Sequence, residues 1–215
     1  MCPERAHAVR SCALSAPARF GDRRAVRVGL LGGSFNPAHD GHRHVADLAR
    51  RHLRLDEVWL LVSPGNPLKD GAAMAPLSKR LASARHLVDG RRLIATDIER
   101  HLGTRYTIDT LRALRRRFPR TRFVWLMGAD NLAQLPRWRR WHAIAATMGF
   151  AVLPRPSYNR CALAGQAAHR LRHARHPARA ATVLARLAPP AWMFLPAWQH
   201  PASATALRAT TGEWT

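Results

Sequence analysis

The sequence predicts an α/β fold, a doubly wound and mostly parallel sheet with a small C-terminal helical part. Short apolar, β-branched runs alternate along the chain with stretches of helical period, a rhythm that requires right-handed βαβ crossovers and a sheet covered on both faces. The first of these runs stops at Gly32-Gly33 just before a helical pattern, where open α/β sheets present a helix N-terminus to ligands. With 215 residues, 47% of them hydrophobic, the chain can bury the core of one such domain.

The elements follow in order. Residues 1–24 hold Cys2, Cys12, several arginines and an apolar patch too short for a signal-peptide core, so they read as a disordered tail before a single domain over 25–215. Residues 25–31 (AVRVGLL) form the first predicted strand, closed by the double glycine. A helix over 40–53 carries Val45, Leu48, Ala49 and Leu53 on one stripe, with Asp40 placed as its N-cap. Strands over 57–62, 93–96, 122–127, 149–153 and 192–195 are then predicted, with helices over 77–88 and 107–118. The Ala/Arg/His-rich segment 160–187 predicts two helical pieces joined at Pro177. Its His169, His173 and His176 read as a solvated basic face, because no acidic or cysteine ligand accompanies them.

Composition narrows the function. No run of about eighteen apolar residues exists to span a bilayer. Three cysteines without C-x-x-C spacing give neither a disulfide framework nor a zinc site, and a reducing cytoplasm is the expected location. The formal net charge of +22 invites a nucleic-acid partner. Yet the cations are nearly all arginine, Lys69 and Lys79 being the only lysines, and they spread among abundant alanine; the same field would attract a phosphate-rich small substrate. Charge alone does not choose between the two; nucleic acid is the less favoured partner on the motifs that follow, and a homo-oligomer is left open.

The segment Gly32-Gly33-Ser34-Phe35-Asn36-Pro37-Ala38-His39-Asp40-Gly41-His42 concentrates the chemistry. The glycines let backbone approach a ligand, and His39 and His42, three apart across a helix start, can each donate to a nonbridging phosphate oxygen with Gly41 leaving room between them. Near the other end, Ser203 and Thr205 can cap a helix, and Arg208 adds a fork of charge-assisted donors.

These residues resemble the H-x-G-H nucleotidyltransferase signature, and the form GGSFNPAHDGH resembles the nicotinate-nucleotide adenylyltransferase family. Asn36 stands where that family more often has Asp. Ser203 to Arg208 is similar to the family's S-x-T-x-x-R element, with Pro201-Ala202 in place of the usual Asp-Ile. The resemblance runs with gaps over 25–208 and implies a Rossmann-like nucleotidyltransferase fold. It also implies transfer of the adenylyl group of ATP to nicotinate mononucleotide, with Mg²⁺ accompanying ATP and no metal site on the protein.

By the same resemblance, Gly33, Ser34, Phe35, His39, Gly41, His42, Lys69, Asp130, Ser203, Thr205 and Arg208 take ATP, and His39, His42 and Arg208 carry catalysis. Gly32, Gly33, Ser34, Thr107, Trp138 and Arg155 take nicotinate mononucleotide. The rival readings stay simple: Lys69 a surface lysine, Thr107 and Asp130 helix caps, Trp138 a core aromatic, Arg155 a loop arginine. The rival functions are phosphopantetheine or nicotinamide-mononucleotide adenylyl transfer, or a basic nucleic-acid-binding module on the same scaffold.

Overall fold

A computed structural model describes residues 17–65 and 74–198. Six parallel strands form one sheet: β1 (Arg27–Gly33), β2 (Glu57–Val62), β3 (Leu93–Thr96), β4 (Arg122–Gly128), β5 (Phe150–Leu153) and β6 (Trp192–Phe194), in the order β3-β2-β1-β4-β5-β6. Winding outward from β1 in both directions leaves a crevice at the carboxyl ends of β1 and β4, the switch point of the doubly wound topology. Strands buried on both faces explain the unbroken apolar runs: Val58 to Val62 and Phe123 to Met127 are all buried.

Helices cover both faces. One face carries α1 (Asp40–His52) and α2 (Leu77–Leu87), whose Ala46, Ala49, Leu81 and Ala84 pack with Leu31, Leu60 and Leu126. The other carries α3 (Ile98–Leu102), α4 (Thr107–Arg117), α5 (Ala129–Gln134), α6 (Trp141–Thr147), α7 (Asn159–Ala164) and α8 (Gln166–Arg170). Their core includes Ile98, Ile108, Leu111, Leu132 and Ile144, against Leu30, Trp59 and Trp125. Trp59 meets the edges of Phe118 and Phe123 at centroid distances of 5.2 and 5.7 Å, the tilted packing that the aromatic quadrupole favours.

The strands at 57–62 and 93–96 fall where the sequence places them, and the others shift by one or two residues. The segment 160–187 departs further. Gly165 separates α7 from α8, 3₁₀ turns follow over Arg172–Ala174 and Ala178–Arg186, and Pro177 is the N-cap of the last. His169 and His173 consequently sit on different elements, both exposed. Residues 17–24, assigned to the tail from sequence, lie against the domain: Arg24 pairs with Asp22 and Glu57, and Arg117 Nη1 donates to the Arg19 carbonyl at 2.9 Å. Among the described residues no helix is long and apolar enough to cross a membrane.

Candidate active site

The turn after β1 is built by its own side chains. A Cβ on Gly32 would lie 2.5 Å from the Trp125 ring, and one on Gly33 would lie 3.2 Å from Phe35. The double glycine thus makes room for two buried aromatics as well as for backbone approach by a ligand. Phe35 adopts a positive φ of 48°, a conformation costly for a bulky residue, and its ring supports His42 at a centroid distance of 4.8 Å. A cis Asn36-Pro37 peptide follows. Asn36 Oδ1 accepts the Ala75 N–H at 3.1 Å, an acceptor role that an Asp would fill equally well.

His39, not Asp40, is the N-cap of α1, and this corrects the expectation from sequence. The imidazoles of His39 and His42 stand 3.9 Å apart. The His39 backbone N–H donates to His42 Nδ1 at 3.2 Å, so a neutral His42 ring carries its proton on Nε2, ready to donate outward. Burial, with His39 and the positive charge of Arg155 adding to it, pushes the His42 pKa down to about 3. His42 is therefore a neutral donor throughout the physiological range.

Across the crevice, Asp130 sits in the first turn of α5 just after β4. Gly128, not Asp130, is the N-cap of that helix, so the capping alternative for Asp130 fails. Asp130 Oδ2 lies 3.7 Å from Arg155 Nη1, while Oδ1 is buried with no hydrogen-bond partner among the described residues. A Cβ at Gly128 would collide with that same oxygen, so glycine there makes room for the carboxylate. A buried carboxylate oxygen without a donor costs free energy that a ligand hydroxyl would offset.

Thr107 is the first residue of α4, and Tyr106 takes the cap position expected of it. Trp138 is half-buried beside the core, consistent with both of its readings. The two are linked through their neighbours, because the Arg139 guanidinium lies 4.5 Å from the centre of the Tyr106 ring. The structure thus gathers His39, Gly41, His42, Phe35, Asp130 and Arg155 around the switch point, and joins the Thr107 and Trp138 loops on the α4 side. Lys69, Ser203, Thr205 and Arg208 lie outside the described residues.

Two charged groups drawn into the interior, one buried and one half-buried, escaped the sequence reading. Arg80 on α2 is 1% exposed, and its one sequence signal is a basic residue on the apolar stripe of Leu77, Leu81 and Ala84. Glu99 on α3 accepts from Thr110 Oγ1 at 3.0 Å, and Thr110 in turn contacts Thr104 Oγ1 at 2.8 Å. Burial pushes the Glu99 pKa up to about 7, against the lowering effect of that hydrogen bond.

Paired imidazoles at a helix start, on the switch point of a 3-2-1-4-5-6 sheet, define a nucleotide-binding α/β protein. The cytidylyltransferase-like family model matches residues 30–210. A relative from Gluconacetobacter diazotrophicus, named "Probable nicotinate-nucleotide adenylyltransferase", is 61% identical over 92% of each chain. A relative of the same name from Gluconobacter oxydans is 59% identical over 85% of this chain and 94% of its own. The chain belongs to the cytidylyltransferase-like family and, within it, to the nicotinate-nucleotide adenylyltransferases. The fold is also that of a Plasmodium falciparum nicotinic acid mononucleotide adenylyltransferase solved with NaAD, with a TM-score of 0.64 at 15% identity, covering 86% of this chain and 83% of that one.

Proposed function

We propose that the protein joins the phosphate of nicotinate mononucleotide to the AMP part of ATP, giving deamido-NAD and pyrophosphate. A phosphate oxygen of the mononucleotide bonds to the α-phosphorus of ATP, the bond from that phosphorus to the bridging oxygen breaks, and pyrophosphate leaves with the electron pair. The attacking phosphate is already ionised near neutral pH, so no general base is needed. Catalysis then consists of alignment and of donors aimed at the charge that develops.

The observation that carries this reading is His42, a neutral imidazole at the N-terminus of α1 whose Nδ1 is engaged, which leaves its proton on Nε2. His39 and His42 address the α- and β-phosphate oxygens. Backbone at Gly33, Ser34 and Phe35 completes the cradle, with Gly41 in the first turn of α1 beside them. Asp130 accepts the ribose hydroxyls through its open Oδ1. Arg155, Thr107, Trp138 and backbone at Gly32 to Ser34 hold the mononucleotide. Lys69, Ser203, Thr205 and Arg208 are assigned to the departing phosphates on the resemblance of their motifs alone.

Mg²⁺ belongs to the substrate as Mg·ATP, coordinated by phosphate oxygens and water. The described side chains assigned to the phosphates are the imidazoles of His39 and His42, donors suited to phosphate oxygens rather than to a hard cation.

The test is pyrophosphate release with Mg·ATP and nicotinate mononucleotide, nicotinamide mononucleotide or phosphopantetheine offered in turn. A strong preference for nicotinate mononucleotide is expected. Preference for either other acceptor reassigns the substrate, and silence with all three from folded protein overturns the reading.

A further inference from the structure

Arg80 is the most deeply buried cation described, and its partners are carbonyls from three separate segments. Nε donates to the Ala75 carbonyl at 2.8 Å. Nη1 donates to Ser34 at 2.7 Å and to Ser63 at 2.8 Å, and Nη2 to Pro64 at 3.3 Å. Among the described residues no carboxylate pairs with it. Burial lowers its pKa, but a guanidinium stays charged in proteins, so these are charge-assisted bonds. Buried arginine usually needs an acidic partner, and here peptide dipoles take that place.

The three segments are functional ones. Ser34 lies in the turn after β1, Ser63 and Pro64 follow β2, and Ala75 leads into α2. In a trans peptide the C=O and N–H point in opposite directions. Turning the Ser34 and Pro64 carbonyls onto a buried guanidinium therefore turns the N–H groups of Phe35 and Gly65 away from it. Ser83, one turn further along α2, supports the same loop, because its Oγ accepts the Ala38 N–H at 3.2 Å. A single side chain thus orients peptide planes at the ends of two adjacent strands.

We propose that Arg80 is the positioning residue of the triphosphate cradle: it fixes the peptide planes that follow Ser34 and Pro64 so that their N–H groups face the ATP phosphates. It touches no substrate and acts through backbone. The proposal rests on the adenylyl-transfer reading above, and it predicts a defect specific to ATP rather than a general loss of stability.

The test uses full-length Arg80→Ala and Arg80→Lys, with folding checked by near-UV circular dichroism. For folded Arg80→Ala the KM for ATP is expected to rise at least about tenfold, as loss of charge-assisted bonds implies, while the KM for the mononucleotide stays near wild type. Millimolar guanidinium, too dilute to unfold the protein, should restore part of the lost ATP affinity. Arg80→Lys keeps the charge but cannot span four carbonyls, and should show an intermediate rise. Wild-type KM for ATP in either folded variant overturns the proposal, as does an equal rise for both substrates. If Arg80→Ala does not fold, Arg80→Lys decides. Calorimetric titration with Mg·ATP on the same proteins separates the two ideas. A wild type that binds ATP but makes no pyrophosphate counts against the reaction, and unchanged ATP affinity in the variants counts against Arg80.

Discussion

On the α1–α2 face of the sheet two nitrogen donors stand out, a neutral imidazole at position 42 and a buried guanidinium at position 80 bound only to carbonyls among the described residues. On the α3–α5 face the groups set against them are oxygens: the carboxyl of Glu99, the Thr104–Thr110 pair and the Oδ1 of Asp130, which has no hydrogen-bond partner among the described residues. The contrast matches what each side meets in the proposed reaction, phosphate oxygens on the first and sugar hydroxyls on the second. It also gives the two sides opposite pH linkage. His42 has a folded pKa of about 3 against an ordinary 6.5, so between those values the unfolded chain binds the extra proton and acid destabilises that side. Glu99, raised to about 7, does the reverse.

The largest effect belongs to His42. His42→Ala removes a donor aimed at developing charge and should slow the chemical step by about 2.7–4 kcal/mol, with the KM for ATP changing far less. Single-turnover rates check this, and a variant with wild-type kcat breaks the contrast at its stronger end. The wild-type profile of kcat/KM should also show no acid limb from His42 down to pH 5, because its proton is bound only near pH 3. An apparent pKa near 6.5 that disappears in His42→Asn would show that burial does not keep this ring neutral.

Asp130 comes next. Asp130→Asn leaves shape almost unchanged but removes the charge from the acceptor, and hydrogen bonds to charged groups contribute about 1.5–3 kcal/mol. The KM for ATP should rise, while the same variant assayed with 2′,3′-dideoxy-ATP should equal wild type, since the hydroxyl partners are gone. A penalty that persists with the dideoxy nucleotide would assign Asp130 to orienting Arg155 instead.

How much of this was legible in the sequence follows from which interactions are local. The strands read cleanly because a parallel sheet covered on both faces requires unbroken apolar runs, and the turn after β1 read cleanly because glycines, histidines and helix start are contiguous. The N-cap was misassigned to Asp40 because imidazole is an uncommon cap, and the reciprocal geometry of His39 and His42 appears only when the turn is folded. Arg80 and Glu99 were invisible for a different reason. Their partners lie up to 46 and 11 residues away, and a basic or acidic residue on a short helix ordinarily points to water. The 3₁₀ turn over Ala178–Arg186 packs Ala181 and Leu184 with Ala151, Leu153 and Met193 of β5 and β6, long-range packing that helix periodicity does not register.

The smallest expected effect sharpens the acidic side of the contrast. Glu99→Gln keeps an acceptor for Thr110 but cannot ionise. In the wild type, between about pH 4.5 and 7, the unfolded chain has released a proton that folded Glu99 retains. Stability is therefore fully present below that window and declines as pH rises through it, with a slope of at most about 1.4 kcal/mol per pH unit. Every other group titrates alike in both proteins, so the difference in Tm isolates this carboxyl. Variant and wild type should melt together at pH 4.5. The variant should then gain progressively and level off above pH 7.5, at about 1–2 kcal/mol because the side chain is not wholly removed from water. For a domain of this size that corresponds to about 2–8 °C. A pH-independent difference would mean that Glu99 ionises freely, leaving Asp130 alone to define the oxygen-lined side.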